Sequence, residues 1–300
     1  MAGGKEIKSR ITSIKNTGKI TKAMELISTV KMKKAQENVL SLRPFALATS
    51  SILSNLSDTE EAFGQYMSSP KSQTTLIVLV ASQKGLCGGY NVNLFKHIIE
   101  HIRENSDKKF AYITIGKRAR DFVLRTGGDL VADYSDEIGD PAQMESARKV
   151  VRFIFDSWHS GKYSSLFVSY NFYESAISQK PKNKQFFPIN REEITDFLDS
   201  ITKEGSNTKN KEQEIPPHIE PNASLVVEYI LPMIFDAMLY EIILEARASE
   251  HAARMVAMKN AKDAAQKKAD TLTLIYNKAR QTAITTEITE IVSGVESMKT

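Results

Sequence analysis

The sequence predicts an α/β protein of composite design: an antiparallel coiled coil of long N- and C-terminal helices with an inserted Rossmann-like α/β domain. Three observations predict it. Near the N-terminus apolar residues step by four and three, at Ile7, Ile11 and Ile14, the spacing of a helix that pairs with another. From Met233 to Ser293 there is neither glycine nor proline, a run of 61 residues. Between these ends, short β-branched runs alternate with helical patterns, which implies βαβ units and a mainly parallel sheet.

The N-terminal helix is expected over residues 1–58. Its first apolar series is followed by a second at Ile20, Met24 and Ile27, and a third at Ala35, Val39, Leu42, Ala46, Thr49, Leu53 and Leu56. Gly18 weakens the pattern and Pro44 should kink it. The central domain is expected over residues 70–200. Thr74–Ala81 is a β-branched run without alternation, which suits a strand buried on both faces. A glycine turn follows, then a helix from about Val92 to Glu104. Phe110–Ile115 reads as a second strand, Lys117–Arg125 as a second helix and Leu130–Tyr134 as a third strand. Pro141–Ser160 reads as a helix with proline in its first turn. Leu166–Asn171 is another strand, and Phe172–Ser178 with Lys184–Pro188 suggests a hairpin around Lys180-Pro181-Lys182-Asn183.

Residues 201–222 carry almost no large apolar side chain and read as a flexible linker. The C-terminal helix is expected over residues 223–300. Its 61-residue glycine- and proline-free stretch would span roughly 90 Å at about 1.5 Å per residue. Its seam reads Phe235, Leu239, Ile242, Ala246, Ser249, Ala253 and Val256. After a phase shift it continues through Ala261, Ala265, Lys268, Leu272, Ile275 and Ala279, with Ile284, Ile288, Ile291 and Val295 in the last turns. The two terminal helices can pair, and the longer C-terminal one should project beyond its partner. In the alternative arrangement both wrap one globular core.

Composition narrows the class. With 41% apolar and 25% charged residues the chain reads as an ordinary globular protein. Only 14 glycines and 9 prolines among 300 residues favour long helices over a turn-rich β fold. No apolar run approaches the length of about 18 residues that a membrane span needs. The N-terminus has no apolar signal-peptide core, so secretion is not expected. Met1 lies directly before the helix, so no organelle transit peptide is expected either. A single cysteine, Cys87, excludes an internal disulfide and a Cys-rich zinc site and points to a reducing compartment. Net charge is +4, unevenly spread: residues 1–60 hold ten Lys/Arg against five acids, while residues 232–300 hold nine of each. The basic end should seek an acidic partner: nucleic acid, anionic lipid or acidic protein loops.

Three local motifs invite a chemical reading. Gly85-Leu86-Cys87-Gly88-Gly89 lies between a strand and a helix, where phosphate cradles form. Its spacing does not match G-x-G-x-x-G, and no G-K-[ST] follows; a tight turn needing positive φ is the competing reading. His97-Ile98-Ile99-Glu100-His101 matches the inverted zinc-peptidase pattern, but no third ligand is evident downstream. Lys117-Arg118-Ala119-Arg120 opens a helix after Gly116 and reads as a solvated basic face before it reads as a phosphate site.

Four stretches carry a family resemblance. Ile7–Ala35 (IKSRITSIKNTGKITKAMELISTVKMKKA) resembles the N-terminal helix of the gamma subunits of F-type ATP synthases. Ser249–Ala261 (SEHAARMVAMKNA) resembles a block of their C-terminal helix. Ile284–Gly294 (ITTEITEIVSG) resembles the signature I-T-x-E-x-x-E-I-x-x-G, and Gly85–Asn91 (GLCGGYN) resembles the glycine turn of their central domain. The matches occur in order and cover both ends and the middle of the chain.

The resemblance implies a non-catalytic rotor shaft that couples transmembrane ion flow to ATP synthesis or hydrolysis on beta subunits, with no cofactor. Its implied partners are the alpha and beta subunits of a hexamer, an epsilon subunit and a ring of c subunits. Membrane association is peripheral, through the complex, on the cytoplasmic side of a bacterial plasma membrane; nucleic acid is not a partner. Carried over by motif, Arg254, Arg280, Gln281, Thr285 and Glu287 form a catch on a beta loop. Lys22, Met24, Ile284, Ile288 and Ile291 belong to the shaft and its bearing. Lys31, Lys33 and Lys34 face acidic levers of beta. Gly85, Leu86, Cys87, Gly88 and Gly89 form the turn at the stalk base.

Two other classes compete. One is a nucleotide-binding α/β enzyme using Gly85–Gly89, with helical arms for dimerisation. The other is a coiled-coil nucleic-acid binder, although no groove-reading motif or aromatic platform interleaves the N-terminal lysines.

Overall fold

The structure is a computed structural model that describes residues 2–55, 64, 66–190, 194, 196–197 and 223–298. The expected linker at 201–222 and the end of the expected N-terminal helix at 56–58 lie outside the described residues. In chain order the elements are α1 (Ala2–Leu40), α2 (Arg43–Asn55), β1 (Thr74–Val80), α3 (Tyr90–Glu104), β2 (Lys109–Ile115), α4 (Lys117–Thr126), β3 (Asp129–Asp133), α5 (Met144–His159), β4 (Ser165–Tyr173), β5 (Gln179–Phe187) and α6 (Ala223–Ser297). Among the described residues no helix is long and apolar enough to cross a membrane. The chain divides into two compact units, residues 1–28 with 254–300, and residues 29–253.

In the first unit, α1 pairs with the C-terminal part of α6. The α1 seam runs Ile7, Ile11, Ile14, Gly18, Thr21, Glu25 and Ser28, all buried or half-buried, an unbroken four-three repeat. The second predicted series does not follow it: Ile20 and Ile27 are 62% and 57% exposed. The seam uses small and polar residues instead because the helices come close. A Cβ added at Gly18 would lie 3.6 Å from Ala265 Cβ. Lys262 Nζ lies 2.8 Å from Glu25 Oε2 beside that contact. On α6 the seam keeps Ala261, Ala265 and Leu272 but passes through Ala269 and Tyr276, leaving Lys268, Ile275 and Ala279 exposed. From Asn277 to Gly294 every residue of α6 is exposed, so this end does extend past its partner helix.

The second unit is a three-layer α/β sandwich. Its sheet has the order β3-β2-β1-β4-β5. The first four strands are parallel, and β5 runs antiparallel to β4. As its unbroken apolar run predicts, β1 is buried on both faces. Leu76, Val78 and Val80 face α5 and α6, while Ile77 and Leu79 face α3 and α4. Here α6 packs as a core helix. Phe235, Leu239, Ile242 and Ala246 were expected on a coiled-coil stripe, but they join the main apolar core. Nearly every residue from Ile234 to Leu244 is buried, and a helix apolar all round belongs in a core.

Three element boundaries differ from expectation. The N-terminal helix breaks at Ser41-Leu42, and Pro44 falls in the first turn of α2, where its missing N–H is harmless. Pro141 precedes α5 rather than opening it, following a cis peptide from Asp140. Lys180-Pro181-Lys182-Asn183 is not a turn but part of β5. The hairpin turns instead at Glu174–Ser178, where the Ser178 N–H donates to Ser175 Oγ at 3.0 Å.

Candidate functional site

The carboxyl ends of β1 and β4 flank the point where strand order reverses, the place where open α/β sheets receive ligands. In this chain the crevice is filled. The buried Tyr90 opens α3, and its hydroxyl donates to the Ala246 carbonyl of α6 at 3.0 Å. Its own carbonyl accepts from Asn171 Nδ2 of β4, also at 3.0 Å. Burial, with Glu250 nearby, pushes the Tyr90 phenol well above its ordinary range. The glycine turn is closed by its neighbours. Asn91 Nδ2 donates to Ser82 Oγ at 2.8 Å, and the Ser82 N–H donates to Asn91 Oδ1 at 3.2 Å. Cys87 is buried beside them. Gly88 adopts φ 58° and Leu86 adopts φ 63°, so this is the tight turn that competed with a phosphate cradle. Leu86 is strained for a non-glycine residue and 62% exposed. Gly85, Gly88 and Gly89 therefore hold an apolar side chain outward.

The other two motifs are absorbed by the fold. Arg120 Nη1 lies 3.3 Å from Asp133 Oδ2, and Lys117 Nζ lies 3.1 Å from Asp136 Oδ1, so the basic face pairs with acids of its own chain. Burial opposes ionisation of Asp133, but hydrogen bonds from Ser135 and Thr114 and the Arg120 charge outweigh it and hold its pKa low. His101 packs edge-on against Phe167 at 4.9 Å. Burial, then the neighbouring His97, lowers its pKa. Among the described residues no three His, Cys, Asp or Glu side chains gather as a metal site.

The residues of the expected catch are separated by exposure. Arg280, Gln281, Thr285 and Glu287 are all exposed on the stretch of α6 beyond α1, whereas Arg254 is buried. Neither Arg280 nor Glu287 forms an ion pair among the described residues, which leaves both charges available to a partner. Thr285 donates its hydroxyl to the Gln281 carbonyl at 3.0 Å. Thr282, Thr286 and Thr289 make the same four-residue backward bond, so the threonine face turns methyl groups outward. Ile284, Ile288 and Ile291 are 45%, 56% and 61% exposed. On α1, Lys22 is exposed and Met24 half-buried.

The three lysines expected to face acidic levers are not equivalent. Lys33 and Lys34 are exposed. Lys31 places Nζ 2.7 Å from Asp140 Oδ2, in the loop between β3 and α5. The His251 ring and the Lys31 ammonium hold Asp140 far below the ordinary carboxylate range, against the opposing effect of its burial. Sequence reasoning missed this contact because its members are distant in the chain.

It also missed an acid pair on α6. Glu241 is buried, and Glu245 lies one turn on, accepting a hydrogen bond from Tyr170 of β4. Burial first, then the Glu241 carboxylate, pushes Glu245 up to about 8, against the pull of Lys184 and Lys182 on β5. A carboxyl raised in the fold contributes stability that is full below its ordinary pKa and lost as pH rises through the raised one. The melting temperature should therefore fall from about pH 5 to 8 and level off above that, and Glu245→Gln should flatten that fall; thermal denaturation across this range checks it.

The comparisons with known proteins agree with one another. The family model described as ATP synthase matches residues 3–298. The chain is 37% identical over 302 residues to the ATP synthase gamma chain of Ruthia magnifica subsp. Calyptogena magnifica, and 35% identical over 302 residues to that of Xanthomonas axonopodis pv. citri. Each alignment covers 99% of this chain and 100% of the relative. A chain of the Euglena gracilis mitochondrial ATP synthase (OSCP/F1/c-ring, rotational state 3) shares its fold with TM-score 0.64 at 18% identity, covering 99% of this chain and 95% of the other. A chain of the Tetrahymena thermophila mitochondrial ATP synthase central stalk/c-ring does so with TM-score 0.57 at 22% identity, covering 81% and 99%. By family model, by identity along its whole length and by fold, the chain belongs to the ATP synthase gamma family.

Proposed function

We propose that this chain is the central rotor shaft of an F-type ATP synthase. It couples ion flow through a ring of c subunits to ATP synthesis or hydrolysis on beta subunits, and does no bond chemistry itself. The observation that carries this reading is the end of α6. A helix exposed without a break from Asn277 to Ser293 has no tertiary packing there among the described residues, and isolated helices of this length are marginal in water. Ile284, Ile288, Ile291 and Val292 are all exposed on it, and an apolar surface of that kind marks a partner site. A surrounding alpha and beta hexamer supplies the missing packing. The self-bonded threonines let the surface slide, and Arg280 with Glu287 supply a breakable catch on beta.

Lys33 and Lys34 serve as lever contacts of beta, whereas the Lys31 ammonium is engaged by Asp140 of its own chain. The turn at Gly85–Gly89 presents Leu86 at the stalk base, and the α/β unit carries epsilon and the c ring. The complex lies peripherally on the cytoplasmic face of a bacterial plasma membrane, a location supported by the bacterial relatives. The enzyme reading is disfavoured because Tyr90 and Asn171 occupy the crevice a nucleotide would need.

A direct test holds alpha and beta subunits on a surface and attaches a visible rod to the α/β unit. Unidirectional rotation with ATP is the expected result; a stationary rod in a complex that hydrolyses ATP contradicts the reading.

A further inference from the structure

Both terminal helices are tied to one loop at the place where they leave the α/β unit. The unit ends at Thr29 on α1 and at Ala253 on α6, and Lys31 and His251 lie just inside those limits. Lys31 Nζ and His251 Nε2 stand 2.7 and 3.2 Å from the same oxygen, Asp140 Oδ2. Asp140 belongs to neither helix, because it lies in the loop between β3 and α5. One turn earlier on α6, Arg247 Nη2 donates to the Ile138 carbonyl at 3.2 Å, and Nη1 donates to Glu250 at 2.9 Å. The Arg247, Glu250 and His251 side chains are 6%, 4% and 4% exposed.

We propose that Lys31, Asp140, His251 and Arg247 form a torsional clasp: positioning residues that fasten the 138–140 loop, and with it the α/β domain, to both helices. Twist carried along the helices is then passed to the domain. Apolar packing between α6 and the sheet is extensive, but burial of apolar surface is non-directional. It resists separation better than rotation of a helix about its axis. Charge-assisted hydrogen bonds fix direction as well as distance, and they strengthen where water is scarce. On the α1 side a cavity of about 220 Å³ opens beside the ion pair among Lys31, Lys34, Asn38 and Asp140. Met32 and Ala35 of α1 are buried nearby, and the Lys31–Asp140 bond adds the directional tie between α1 and the loop.

This proposal rests on the rotor reading, and its test separates the two. The complete ATP synthase is placed in sealed vesicles with Lys31→Met in this chain. Lys31 is partly exposed, so the fold should tolerate the change. Hydrolysis should stay within about twofold of the unaltered complex, while ions pumped per ATP hydrolysed should fall by about half or more, since only the directional tie is lost. Asp140→Asn should do the same, Lys31→Arg should restore the ratio, and Lys149→Met, at an exposed position of α5, should leave it unchanged. An unchanged ratio in the assembled Lys31→Met and Asp140→Asn complexes overturns the clasp. So does a fall of hydrolysis and pumping by one common factor, which marks a folding role, or an equal loss in Lys149→Met. Failure of the unaltered complex to pump at all would remove the rotor reading and the clasp with it.

Discussion

Arg280→Ala or Glu287→Gln should leave an assembled complex that turns over slowly and couples poorly. Both residues are exposed on α6 beyond the reach of α1, so neither substitution removes an ion pair among the described residues. Surface substitutions without such contacts change stability by about 0.5 kcal/mol or less, and the shaft should fold and enter its hexamer. What is lost is a charge-assisted hydrogen bond to beta, worth roughly 1.5–3 kcal/mol. That corresponds to about a tenfold to hundredfold change in whichever step the bond controls. Steady-state hydrolysis, ATP-driven pumping and subunit content of the same preparation check the prediction. Normal hydrolysis and synthesis in both variants would contradict it.

Gly116→Ala should fail in the opposite way, by preventing assembly. Gly116 joins β2 to α4 with φ 96°, a conformation that L side chains rarely adopt. A Cβ there would lie 2.2 Å from the Ala81 carbonyl oxygen and 2.9 Å from its carbon. Those are backbone atoms at the end of the central strand, where the Ala81 N–H donates to the Ile115 carbonyl at 2.9 Å, so they cannot move aside cheaply. Strained backbone costs about 1–3 kcal/mol and overpacking roughly as much again, a large share of a stability of about 5–15 kcal/mol. Urea denaturation of the isolated chain should show a lowered midpoint, and the yield of assembled complex should fall with it. A midpoint equal to that of the unaltered chain would show that the β2–α4 junction relaxes.

The strands and the end helices were legible because their residues are unambiguous. Thr74–Val80 reads as a doubly buried strand from its composition alone, and Ile7, Ile11 and Ile14 mark the helix seam. The middle of that seam was hidden for a physical reason. Gly18, Thr21, Glu25 and Ser28 are small or polar because α1 and α6 approach closely there. Ile20 and Ile27, the conspicuous apolar residues, face outward toward what a partner would cover. Phe235 through Ala246 misled in the reverse sense, since four-three spacing fits a core helix as well as a coiled coil. Lys180-Pro181-Lys182-Asn183 reads as a turn by composition, yet proline and lysine are what an edge strand tolerates.

The candidate site divides the same way. The expected catch and bearing residues came from long contiguous motifs, and most of them lie together on the exposed end of α6. The filled crevice at Tyr90 and Asn171, the Glu241–Glu245 pair and the Asp140 cluster join residues far apart in the chain. No local spacing announces them. Only the βαβ winding of the sheet and the packing of α6 against it bring them together.

The most direct test of the rotor claim is reconstitution with cognate alpha and beta subunits, assayed for Mg-ATP hydrolysis across a size-exclusion column. The account predicts one large co-eluting species with sustained hydrolysis, lost when this chain is omitted. Three separately eluting, folded proteins, or hydrolysis indifferent to this chain, would contradict it.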